Sequence, residues 1–237
     1  MKYGIEFEYF VSKNGKILQA YLATNNLDGN PFLGEIKTKP LDSIIDCVFE
    51  LEKLIYLEKI MLESNGYNME IISSHQFSNE ELIAFRKDKR ALNKKELEVL
   101  EEFSIYPNGK IGKILKKGEI KASLQINFSQ HKSFSYLDYS KIVVEDKYKY
   151  EASTKLKEYS CLFNYIAIIQ KLDEVYKEDI SRTNRTKGIY AIKPGDFGDR
   201  IEYRSLPNNV DPIKLISVLD KESDDEDEDE LEDSSED

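Results

Sequence analysis

Three short segments, far apart in the chain, alternate apolar and polar residues with period two and place charged or amide side chains on the polar phase. They are Gly4-Ile5-Glu6-Phe7-Glu8-Tyr9-Phe10, Ala122-Ser123-Leu124-Gln125-Ile126-Asn127-Phe128-Ser129 and Arg200-Ile201-Glu202-Tyr203-Arg204-Ser205-Leu206-Pro207. Such alternation marks a strand with one face in a core, so the opposite face of each must present Glu, Gln, Asn or Arg. If these faces lie side by side in one sheet their carboxylates crowd together, and crowded carboxylates must lose charge or gather cations.

The rest of the chain supplies the frame for that sheet. Residues 2 to 11 read as a strand, Lys13-Asn14-Gly15-Lys16 as a hairpin turn, and Ile17 to Ala23 as the returning strand. A loop rich in turn formers over 25 to 31 leads to a strand from Phe32 to Lys39. After Pro40 the apolar spacing becomes helical, with Asp42 or Ser43 near the start and Gly66 just past the end. Met69 to Ser73 reads as a short strand before a polar linker, 79 to 102 as a charged surface helix, and 120 to 129 as the second polar-faced strand. A long helix is expected over 150 to 178, a loop from Ser181 to Gly198, and a last helix over 212 to 219 behind Asp211-Pro212. Antiparallel strand groups separated by long helices predict an α+β fold.

Charge is unevenly placed. Residues 220 to 237 carry thirteen acidic side chains and one lysine, which leaves the first 219 residues near plus 1 although the whole chain is at −11. The body therefore lacks the basic surface that direct nucleic-acid binding needs. The tail has one apolar residue, Leu231, and repels itself, so it is expected to be a disordered, solubilising appendage to one folded domain over 1 to 219. Docking of a basic partner, or mimicry of nucleic acid, is the alternative role. Cys47 and Cys161 lie in apolar helical stretches without metal-ligand spacing and read as reduced core thiols. With no leader-like start and no membrane-length apolar run, the expected place is the cytoplasm, away from membranes. The lysine-rich, tyrosine-rich, tryptophan-free composition is compatible with an AT-rich microbe or a virus, in which case a host cytoplasm serves equally.

Glu6 and Glu8, two apart on a strand, share a face at about 7 Å, and all-oxygen ligation of a divalent cation suits Mg2+ or Mn2+. A solvated strand face is the simpler alternative. Glu35 and Lys37 share a face in Leu33-Gly34-Glu35-Ile36-Lys37-Thr38-Lys39-Pro40, where the lysine serves either a cross-strand ion pair or a phosphate. Gln125 and Asn127 offer neutral donors and acceptors. Arg200 and Arg204 flank Glu202 either as an ion-pair ladder or as a bidentate grip on phosphate or carboxylate. His75 and His131 fall outside these segments and read as surface or loop residues.

Taken together and in order, Gly-x-Glu-x-Glu, Gly-Glu-x-Lys-Thr-x-Pro, Ser-x-Gln-x-Asn-Phe-Ser and Ile-Glu-Tyr-Arg-Ser-Leu-Pro resemble the glutamate-cysteine ligase and amidoligase branches of the glutamine synthetase-like superfamily. The resemblance spans about residues 4 to 212 through these four motifs. It implies an antiparallel sheet forming a concave active site with long helices on its outer face. It implies ATP and Mg2+ as cofactors, and an amide or isopeptide bond formed through an acyl-phosphate between carboxylate and amine substrates that are small molecules, peptides or proteins. Carried over by position, Glu6, Glu8, Glu35 and Glu202 would hold metal, and Gln125, Asn127 and Arg200 would contact the nucleotide. Arg204, Arg185 and Lys37 would act on the phosphate or acyl-phosphate. Lys37 departs from the arginine frequent there, and the chain is short beside full-length glutamate-cysteine ligases. An inactive member serving as a scaffold with an acidic docking tail, or a phosphotransferase with a non-amine acceptor, would carry the same motifs.

Overall fold

In the computed structural model, which describes residues 1–27, 32–78, 81, 118–129, 161–188, 190–193 and 200–220, the alternation of the first segment becomes a twelve-residue strand, β1 (Lys2–Lys13). Its odd residues Tyr3, Ile5, Phe7, Tyr9 and Val11 are buried in the main core. Each such side chain contributes about 1.5–3 kcal/mol through burial. The strand turns back through Asn14 and Gly15, both at positive φ, into β2 (Lys16–Leu18). The predicted strand through Ala23 ends there. Ala20–Leu22 is instead a 3-10 turn whose Ala20 carbonyl accepts from the Ala23 and Thr24 amides.

β3 (Gly34–Lys37) pairs with β1, and Thr38 prolongs that ladder by exchanging bonds with Ile5, through both its own amide and its side chain. The helix expected after Pro40 is α1 (Ile44–Ser64), which starts where the Ser43 hydroxyl accepts from the Asp46 amide and stops before Gly66 at φ +76°. β4 (Asn68–Glu70) returns to β1, and the region read as a polar linker holds β5 (Ser74–Gln76). The second polar segment divides at Ala122. β6 (Glu119–Lys121) pairs with β5 in a small separate sheet, and β7 (Ser123–Ser129) joins β1. Of the long helix expected over 150 to 178, residues 150–160 lie outside the described residues, and the described part is α2 (Cys161–Val175), broken at Tyr176 and followed by α3 (Lys177–Arg182).

Part of the stretch read as a loop from Ser181 to Gly198 is a strand, β8 (Tyr190–Lys193). It pairs antiparallel with β9 (Arg200–Pro207), with Tyr190 in register with Tyr203 and Ile192 with Ile201, and this backbone pairing is what selects a strand there. Pro212 precedes α4 (Ile213–Leu219), whose first turn is met by the Asp211 carboxylate accepting from the Ile213 amide.

The principal sheet runs β2-β1-β7-β9-β8 with β3 and β4 also on β1, and every described pairing is antiparallel. Helices α1, α2 and α4 bring Ile44, Leu51, Leu172, Leu215 and Val218 onto its apolar face, which makes the fold α+β. Two tyrosine hydroxyls fasten this layer, Tyr203 to Asp173 and Tyr176 to the Asp211 carbonyl. On the opposite face a second cluster of Phe10, Phe32, Leu33, Phe77, Ile120 and Ala122 covers one end of β1. His75 is half-buried against the Phe77 and Phe10 rings, and this burial lowers its pKa. Cys47 is buried and free, as expected of a core thiol. No described helix is long and apolar enough to cross a membrane. The acidic tail from 221, His131, and most of the expected surface helix over 79 to 102 lie outside the described residues.

Candidate active site

The register brings the three polar-phase segments and β3 into one surface. Glu6 stands opposite Lys37 on one side and Gln125 on the other, Glu8 opposite Glu35, and Asn127 opposite Glu202. Arg200 stands opposite Ser129 and Lys193 at the far end of the same ladders. Between Leu124 and Ile126 of β7 the pairing slips, so that Arg204 and Ser205 together oppose Gln125. The extra residue is a β-bulge, a device that re-aims a side chain beside a site. Glu202 and Arg204 share the polar side by simple alternation, and the extra residue lets Leu206, three positions on from Tyr203, face the same core.

All four glutamates are buried here: Glu6 is 8 % exposed, Glu8 and Glu35 6 %, and Glu202 0 %. A buried carboxylate must be paired or hydrogen-bonded, and each is served differently. Glu8 accepts from the Ser123 amide and hydroxyl, both at 2.7 Å, and from Gln125 Nε2 at 2.9 Å. Glu6 accepts from Asn127 Nδ2 at 3.2 Å and pairs with Lys37 Nζ at 3.3 Å, and the same ammonium lies 2.6 Å from Glu35. Burial works against the charge on Lys37, but the bonds to Glu35 and the field of Glu6 outweigh it and hold the ammonium above its usual range. Arg204 pairs with Glu202 and donates from Nε to Gln125 Oε1 at 3.2 Å.

Arg185, on the stretch after α3, lies close enough to Glu8 to feel its charge. Its guanidinium donates to the Ala122 carbonyl, and burial draws its pKa down while the Glu8 carboxylate opposes that shift. The sequence-predicted residues thus lie on one sheet surface in two bonded groups, Glu8, Gln125, Arg204 and Glu202 in one and Asn127, Glu6, Lys37 and Glu35 in the other, with Arg185 near Glu8. Arg200 is placed by register alone.

Two participants escaped sequence reasoning. Ser123 supplies two of the three bonds to Glu8, although the sequence marks it only as the first residue of Ser-x-Gln-x-Asn-Phe-Ser, with no role attached. Asn208 donates from Nδ2 to the Glu8 carbonyl at 2.9 Å, yet in Pro207-Asn208-Asn209 it reads as a turn former.

As they stand, no three acidic, histidine or cysteine side chains among the described residues converge closely enough to grip a metal ion. Lys37 and Arg204 occupy the places between the carboxylates where positive charge is wanted. The donor chemistry nonetheless fits a hard divalent cation, because every acceptor is oxygen. Asn127 Oδ1 is buried without a hydrogen-bond donor among the described residues, directly across from Glu202 and beside Glu6. Lys37, with a side chain 56 % exposed, has room to swing aside. Compared with known proteins, the chain matches no family model and no curated protein sequence.

Proposed function

We propose that the protein is an ATP- and Mg2+-dependent carboxylate-amine ligase built on a glutamine synthetase-like sheet. The observation that carries this reading is the gathering of four buried glutamates, Lys37 and Arg204 on one face of an antiparallel sheet, with Arg185 within the field of Glu8. Glu6, Glu8, Glu35 and Glu202, with Asn127 Oδ1 among them, would hold Mg2+, which when bound neutralises phosphate oxygens. A substrate carboxylate oxygen bonds to the terminal phosphorus of ATP as ADP leaves. The amine nitrogen then bonds to the activated carbonyl carbon as phosphate departs, and the amine gives up a proton. Phosphoryl transfer asks the protein for positioning and charge stabilisation more than for a nucleophile. Arg204, fixed by Glu202 and Gln125, offers a rigid guanidinium fork to the moving phosphoryl group. Lys37 and Arg185 add positive charge from either side, and Gln125, Asn127 and Arg200 would contact the nucleotide.

A non-catalytic scaffold is the second reading. One observation favours it: Lys37 and Arg204 already neutralise Glu6, Glu35 and Glu202 from within the fold. In that reading the acidic tail docks a basic partner. ATP hydrolysis measured with Mg2+ against a panel of amines and carboxylates separates the two. The ligase reading expects amide product, and ADP formation sustained beyond one equivalent per protein only with both a carboxylate and an amine. Sustained ADP formation without an amine and without amide points to phosphotransfer to another acceptor, and no ADP from folded protein across the panel supports the scaffold.

A further inference from the structure

A cavity of about 530 Å3 opens beside β3, between α1 and residues 25 to 27. Glu35 and Lys37 line it and also belong to the polar sheet surface, so the two spaces meet along this strand. Its walls are aliphatic: Ile36 from β3, and Leu54, Leu57 and Met61 from α1. Leu57 and Met61, one helical turn apart, remain 47 % and 54 % exposed. Among the described residues nothing covers their apolar surface on the cavity side.

The polar side of the cavity is well ordered. Glu58 is 5 % exposed and accepts from Tyr9 Oη at 2.6 Å, Thr24 Oγ1 at 2.9 Å and Asn26 Nδ2 at 2.9 Å. Those bonds hold both its carboxylate and the 24 to 26 segment in place, and the Asn26 carbonyl in turn accepts from the Glu35 amide. Two carboxylates, Glu35 and Glu58, face a single ammonium, and Lys37 is already committed to Glu35 and Glu6. The cavity thus carries an excess of negative charge against aliphatic walls, a combination that attracts a cation with an apolar body and repels an anion.

We infer that this cavity binds a primary amine carried on an aliphatic or aromatic body. The ammonium pairs with Glu35 at the border of the polar surface, and the body lies along Leu54, Leu57 and Met61. Its assignment as the amine acceptor of a ligation rests on the function proposed above, whereas the binding itself does not.

The test is calorimetric titration of the full chain with n-hexylamine, and with hexanoate at the same ionic strength. Saturable binding of hexylamine is expected, with hexanoate at least about tenfold weaker. A Leu57→Ser, Met61→Ser double variant, altered only at exposed positions, should lose most of that affinity at an unchanged melting temperature. Absence of hexylamine binding, equal or tighter binding of hexanoate, or undiminished affinity in the variant would overturn the inference. Titration of Mg2+-ATP into the same protein keeps the two ideas apart. Amine binding without nucleotide binding leaves the cavity standing and removes the ligase reading, and the reverse result does the opposite.

Discussion

Gly34 governs how β1 and β3 approach each other. A Cβ there would overlap the Tyr9 ring, which crosses the β3 backbone so that its hydroxyl can reach Glu58. Burial and the Glu58 bond both raise the Tyr9 pKa, so the phenol stays a donor throughout the physiological range. Gly34→Ala should therefore destabilise the fold by about 1–3 kcal/mol through overpacking, read as a lower urea midpoint; an unchanged midpoint would show that the ring has room to move. Lys37 makes a pH prediction. Its folded pKa lies above the ordinary value, so the stability it contributes is fully present below about pH 10 and is lost as the pH rises through the raised value. The stability difference between the wild type and Lys37→Met should stay level from neutral pH to about 10 and shrink above it. A difference that shrinks between pH 6 and 9 would contradict this ion-pair account. The motif glutamates were legible in the sequence because carboxylates on a strand that must be buried on one face stand out. Glu58 was not, since one Glu in an amphipathic helix looks like any solvated position until Tyr9 and Thr24 fold onto it.

Elements with strong local signals formed where periodicity placed them. α1 combines helical apolar spacing, a serine cap and a glycine at positive φ beyond its end, and all three agree. Ser43→Ala should cost about 0.5–2 kcal/mol by leaving the Asp46 amide without its acceptor, measurable as a lower melting temperature; no change would mean that water replaces the cap without loss. Short strands were less visible. β8 has only four residues, too few for a clear alternation of its own, and its antiparallel pairing with the neighbouring β9 is what makes it a strand. The break at Ala122 was likewise hidden, because β6 and β7 form one continuous alternation whose halves pair with different partners. The 3-10 turn at Ala20–Leu22 follows the same rule: Ile17 to Ala23 is apolar enough for a strand, but only its first residues find a partner on β1.

For the molecule as a whole, the decisive arrangement is a sheet with one face given to a helical core and the other to carboxylates. Burying four glutamates on that second face has no advantage for stability alone, since an ion pair taken out of water often does no better than well-packed apolar residues. Lys37 and Arg204 make the cluster tolerable, and under the proposed function their positions mark where a divalent cation and the phosphates it carries would engage. The order of strands that brings β3, β1, β7 and β9 together could not be read from the sequence. Only the shared phase of their polar residues hinted at it, and the bulge at Gln125 that lets Leu206 face the core left no local mark. Calorimetric titration of ATP with and without Mg2+, into wild type and into Glu202→Gln, tests the central claim most directly. The account predicts Mg2+-dependent binding in the wild type, and its loss in the variant with thermal melting little changed. Equal ATP affinity in the two proteins, or no Mg2+ dependence in either, would contradict it.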